Sequence, residues 1–205
     1  MSGKQTAPSP SALYSPALLG SLPLHALIAF SARCAHRVQP LWGAVSPAER
    51  RQLVRAIEVS ESVGSGASST LEARQAKGVE VARWSANRPD FAASRTARGA
   101  AIYALSCACL ERSAEAAMAA LLTVREVHFA AGGDASDLAE AEARLALAWT
   151  PAAGSVLHGV AMEVKHDLER LLEQSRSDRW TDETPVSPEF FGPLWRSGPP
   201  DGWPC

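Results

Sequence analysis

Glu163 and His166 stand three residues apart in a segment of helical spacing, which puts a carboxylate and an imidazole on one helix face. That is the Glu-x-x-His element with which four-helix bundles hold paired iron or manganese ions. Such a centre takes two copies of the element and two further inward glutamates, and the chain has a single copy. A solvated Glu/His face is the simpler account. His128 borders an apolar stripe, where a hydrogen-bonded boundary histidine is expected rather than a ligand. His128, Glu163 and His166 are therefore carried forward as the metal candidates, with no metal assigned. His158, Met162 and His166 form a ridge suited at most to weak binding of a soft metal. His25 and His36 are eleven residues apart, about 16 Å along a helix, which is too far for one ion. Arg88, Arg95 and Arg98, with Ser94 and Thr96 between them, crowd a helix start where an anion would sit. Exposed arginines on an alanine-rich helix also serve solubility.

Stronger signatures are absent. The chain has no nucleophile elbow, phosphate-binding glycine loop, zinc-type cysteine spacing or dinucleotide fingerprint. No catalytic residue and no cofactor are assigned, and an enzyme ranks behind an interaction module. No Lys/Arg cluster is dense enough to displace many counterions from nucleic acid. The net charge of -2 hides a gradient: residues 1–131 carry fourteen Lys/Arg against nine Asp/Glu, and residues 132–205 carry six against thirteen. If the two ends fold side by side, they neutralise each other.

Cys107 and Cys109 are two apart in a helical stretch and point away from each other, so they should not pair. With Cys34 and Cys205 they make only four cysteines in 205 residues, which suits a reducing compartment and buried, inert thiols. Ala17 to Phe30 imitates a signal-peptide core, but Pro23 and His25 interrupt it and Lys4 is a weak basic start. No run approaches the roughly 18 apolar residues of a membrane span. A cytoplasmic protein is expected.

The elements that must position these groups are helices. Residues 1–20 read as a mobile leader. A first helix is expected from about Pro23 to before Pro40, with Leu24, Leu27, Ile28, Cys34 and Val38 inward and His25, Arg33, His36 and Arg37 at the rim. Leu41 and Trp42 then cap the turn. Ser46-Pro47-Ala48-Glu49 is a capping box that opens a helix to about Val63, closed by Gly64-Ser65-Gly66. Ser69-Thr70-Leu71-Glu72 opens another to about Ala86, ended by Pro89. Asp90 caps the next stretch, which reads as one helix or two before Gly132-Gly133 stops it. Asp137-Leu138-Ala139-Glu140 opens a helix that carries Trp149, and Thr150-Pro151 opens the last, to about Ser175. Roughly a third of residues 91–149 are alanine, so these segments are expected at the centre, where small side chains let helices approach closely. The fold class is all-α: a single bundle of six or seven helices over residues 21–175.

Residues 176–205 hold six prolines, so an extended tail is expected. Trp180, Phe190, Phe191, Leu194, Trp195 and Trp203 are too apolar to leave in water, and the tail should lie on the bundle. Trp195→Ala is then expected to cost about 3–5 kcal/mol. A proline-rich tail also suits partner recognition, which makes Trp180, Trp195 and Trp203 the partner-binding candidates. Gly192-Pro193-Leu194-Trp195, Gly198-Pro199 and Gly202-Trp203-Pro204, with the early Ala32-Arg33-Cys34-Ala35-His36-Arg37-Val38-Gln39-Pro40-Leu41, resemble the ends of some alanine-rich helical bacterial proteins of unknown function. The resemblance covers about a sixth of the chain and implies no activity. The expected role is a non-catalytic adaptor or accessory subunit that binds a protein partner or a second copy, without nucleic acid or membrane. The alternative is a helical-bundle enzyme or ligand binder with a site between helices.

Overall fold

The computed structural model describes residues 15–77, 93–132 and 156–204. These residues form seven α-helices and no strand: α1 Pro16–Leu19, α2 Leu24–Arg37, α3 Pro47–Gly64, α4 Thr70–Lys77, α5 Ala93–Ala108, α6 Ser113–Ala131 and α7 Val156–Ser177. Two 3-10 turns, Gln39–Trp42 and Pro188–Phe191, complete the described structure. The expected break at Pro89, the cap at Asp90, Arg88, the helix from Asp137 with Trp149, the Thr150-Pro151 start and Cys205 lie outside the described residues.

Helix starts follow side-chain capping. Ser46 Oγ accepts the Glu49 N–H at 3.2 Å. Ser69 and Glu72 cap each other reciprocally, the Glu72 carboxylate accepting the Ser69 N–H at 2.7 Å and Ser69 Oγ accepting the Glu72 N–H at 3.3 Å. The first of these bonds holds the Glu72 carboxyl below its usual range. α3 ends as expected, with Gly66 at φ 74° in the left-handed region. The alanine-rich stretch before Gly132 is two helices, parted at Cys109–Arg112. Arg74 reaches across from α4 and donates its Nε–H to the Cys109 carbonyl at 2.9 Å, satisfying an acceptor freed at the break.

Packed structure begins earlier than the leader reading placed it. Ser15 Oγ accepts the Leu18 N–H at 3.1 Å, and Leu19 is fully buried against the bundle. α5 and α6 lie centrally, yet they share that place with α2, which touches α3, α5, α6 and α7. Ala26, Leu27, Ile28, Ala29, Phe30, Ala32, Cys34 and Ala35 of α2 are all buried. Its small residues let α3 cross closely: a Cβ on Gly64 would sit 2.9 Å from the Ala29 nitrogen. Trp42 does more than cap its turn. It is fully buried and donates its indole N–H to the Ala97 carbonyl at 3.2 Å, pinning the first 3-10 turn to α5.

Beyond α7 the chain turns back over the bundle and serves two helix ends there. The first turn of α2 is preceded by Pro23, which has no side-chain acceptor to cap it, and Asp182 Oδ1 accepts the Leu24 N–H at 2.7 Å instead. Val186 donates its N–H to the Gly64 carbonyl at the end of α3, at 2.8 Å. Both are groups that a helix leaves unpaired at its ends. Asp182→Ala should therefore lower stability by about 1 kcal/mol in urea melts, the ordinary loss of a cap, with Asp182→Asn losing less.

Candidate functional site

Arg33 and Arg37 are four apart on α2, and Glu163 and Asp167 are four apart on α7. Like charges at that spacing repel along a helix, so each pair calls for the opposite sign from elsewhere. The fold supplies it by laying the pairs together. Asp167 Oδ2 accepts from Arg37 Nη2 at 2.6 Å and from Arg33 Nε at 3.3 Å. Glu163 Oε2 lies 3.9 Å from Arg37 Nη2 and 3.2 Å from Nε of Arg196 in the tail. Arg37 is fully buried and Asp167 is 2% exposed. The rim position expected for Arg37 is thus overturned, because a carboxylate 130 residues away compensates its charge.

The tail closes the cluster. Arg37 Nη2 donates to the Leu194 carbonyl at 3.2 Å, and Arg33 Nη2 donates to the Pro193 carbonyl. The Trp195 ring lies 5.8 Å from the Arg37 guanidinium, on which Nε and Nη1 have no hydrogen-bond partner among the described residues. Phe191 lies 5.5 Å from the Arg33 guanidinium. Burial, and then the Arg37 charge, pull Arg33 below its ordinary pKa, against the attraction of Asp167. Three guanidiniums stand against two carboxylates.

Beside this cluster a cleft of about 230 Å³ opens between α2, α3 and the tail, lined by Ala29, Arg33, His36, Glu61, Val186, Pro188, Phe191 and Leu194. Its polar end holds the His36 Nε2 to Glu61 Oε1 pair at 2.9 Å, both side chains about one-third exposed. Apart from Arg33, its other walls are apolar. Of the Arg33 nitrogens, Nε is taken by Asp167 and Nη2 by Pro193, whereas Nη1 has no hydrogen-bond partner among the described residues; the side chain is 12% exposed.

The metal candidates do not assemble. Among the described residues no group of three or more His, Cys, Asp or Glu is placed to hold an ion. Glu163 faces arginines, and His166 is half-buried on α7. His128 is buried on α6, where Nδ1–H donates to the Val124 carbonyl at 2.7 Å. Burial pushes its pKa down to about 4, against the pull of that bond. The unfolded state then binds the proton more readily, near its ordinary 6.5, so the neutral ring's contribution is whole above that value and lost as pH falls toward 4. Roughly 2 kcal/mol should be gone by about pH 5, and a His128→Phe variant should lose that slope in urea melts at stepped pH.

Of the anion candidates, Arg98 donates to Glu49 Oε1 at 3.1 Å and to the Ser94 carbonyl at 3.0 Å. His25 and His36 sit at opposite ends of α2. Cys34, Cys107 and Cys109 are buried, and burial lifts the Cys34 and Cys107 thiols to about 12, which leaves those two inert. Among the tail tryptophans Trp203 is buried, 7% exposed, while Trp180 and Trp195 are half-buried. Trp180 packs edge-on against Phe190 at 5.4 Å, and Trp195 against Trp203 at 5.3 Å.

Reading the helices singly missed Arg33, Arg37, Asp167, Arg196 and Asp182. The matching i,i+4 pairs of opposite sign on α2 and α7 were the available signal. No family model, no curated protein and no solved structure matches the chain. No described helix is long and apolar enough to cross a membrane.

Proposed function

We propose that the chain is a non-catalytic protein-interaction module of the cytoplasm, in which the tail and α2 together present a cleft to a partner. The observation that carries this reading is the cleft itself: a largely apolar recess that Arg33, His36 and Glu61 also line, walled by a tail held through Arg33, Arg37 and two helix ends. A groove built in this way orients a peptide segment without supplying a reacting group. The competing metal-binding reading has less support, since Glu163 is engaged by Arg196 and lies beside Arg37. Affinity capture with the full chain and with Leu194→Trp, which fills the cleft and keeps every backbone contact of the tail, tests the proposal. Specific partners should be retained by the wild type and depleted at least tenfold with the variant. Absence of any specific partner would count against the module.

A further inference from the structure

The geometry points to the free C-terminus of a polypeptide, with an apolar last residue, as the occupant of the cleft; this rests on the interaction-module reading. Three features specify that chemistry. Arg33 lines the cleft with Nη1 unbonded among the described residues, and its guanidinium shares the single Asp167 carboxylate with Arg37, so these three groups carry one positive charge in excess while Arg196 is paired with Glu163. A carboxylate completes that balance and matches the planar guanidinium donor. Ala29, Val186, Phe191 and Leu194 form the apolar wall beside it. The volume of about 230 Å³ lies below the roughly 300–1,000 Å³ of a drug-sized pocket and suits one side chain with its terminal carboxylate.

The third feature sets direction. Glu61 lines the same cleft and repels an anion at its end, which confines a carboxylate to the Arg33 end; His36 holds one Glu61 oxygen at 2.9 Å, and the other is an acceptor for a peptide N–H. The ligand is therefore anionic at one end only, with amide donors following behind the carboxylate. A neutral terminus gains nothing at Arg33, and an acidic side chain at the last position meets the apolar wall.

Calorimetric titration of the full chain with acetyl-Ser-Gly-Ser-Leu, as free acid and as C-terminal amide, tests this. The acid should bind at least tenfold tighter than the amide. Arg33→Gln should bring the acid to the level of the amide. Because that variant also gives up contacts to Asp167 and Pro193, Leu194→Trp serves as the second arm: it should abolish binding of the acid while the circular dichroism spectrum and melting temperature stay unchanged. Equal binding of acid and amide, no heat from either, or free leucine binding as tightly as the peptide acid would each overturn the assignment. Partner capture that Leu194→Trp depletes, with no peptide binding by the wild type, would overturn this assignment alone, whereas undiminished capture by Leu194→Trp would overturn it together with the cleft as the module's docking face.

Discussion

Asp167→Asn is expected to lower folding stability by about 3–5 kcal/mol, read as a shift of the urea midpoint with little change in slope. Asparagine keeps an oxygen to accept a hydrogen bond and occupies the same volume, so the loss isolates charge. In the wild type one carboxylate oxygen serves both Arg37 and Arg33, and Arg37 is fully buried. Without that charge, the Arg37 guanidinium keeps its positive charge out of water with Glu163 3.9 Å away as its nearest compensation. Breaking one partner of a buried pair is expensive for this reason, although replacing the whole pair by apolar groups often is not. The double variant Arg37→Met with Asp167→Leu should accordingly recover most of the loss. A change below about 1 kcal/mol in the single variant would mean that the cluster is hydrated rather than dry.

Trp203→Ala should cost a similar amount, about 3–5 kcal/mol, whereas Trp195→Ala should cost clearly less, about 1–2 kcal/mol. The value for Trp195→Ala is below the roughly 3–5 kcal/mol expected from sequence, because that ring is only partly buried. Trp203 is 7% exposed and joins the core, while Trp195 covers Arg37 with one face and stays half open to water. Trp203 Nε1 is buried without a hydrogen-bond partner among the described residues. Trp203→Phe therefore removes an unpaired donor along with some area and should stay within about 1.5 kcal/mol of wild type. Thermal and urea melts of the three variants rank them directly. Equal losses for Trp195→Ala and Trp203→Ala would place the two rings in the same environment, against the packing described.

What could be read in advance was local. Ser46 and Ser69 announced helix starts because a hydroxyl three residues before a glutamate satisfies backbone donors within one turn. Gly64 to Gly66 and Gly132 marked stops for the same short-range reason. The split at Cys109–Arg112 was legible only as an alternative, one helix or two with a possible restart at Ser113-Ala114-Glu115, because the Arg74 side chain that satisfies the Cys109 carbonyl comes from another helix. Arg37 was assigned to the rim because a helix read by itself gives no cause to bury a charge. Its partner sits on α7, and only the paired i,i+4 charges hinted at the match. The cleft was invisible for a related reason: its walls come from three segments, α2, α3 and the tail, none of which is concave alone.

The tail supplies the Leu24 amide with its acceptor and the Gly64 carbonyl with its donor, the first across 158 residues of chain. During synthesis, α2 and α3 are thus made long before the groups that finish their ends. Arg37 in turn lacks its carboxylate and carbonyl partners until Asp167 and Leu194 have been added. The ends of α2 and α3 are thus completed only once residues 182–194 have been made, and translation interrupted before them should yield a loosened, chaperone-prone species rather than a smaller native one.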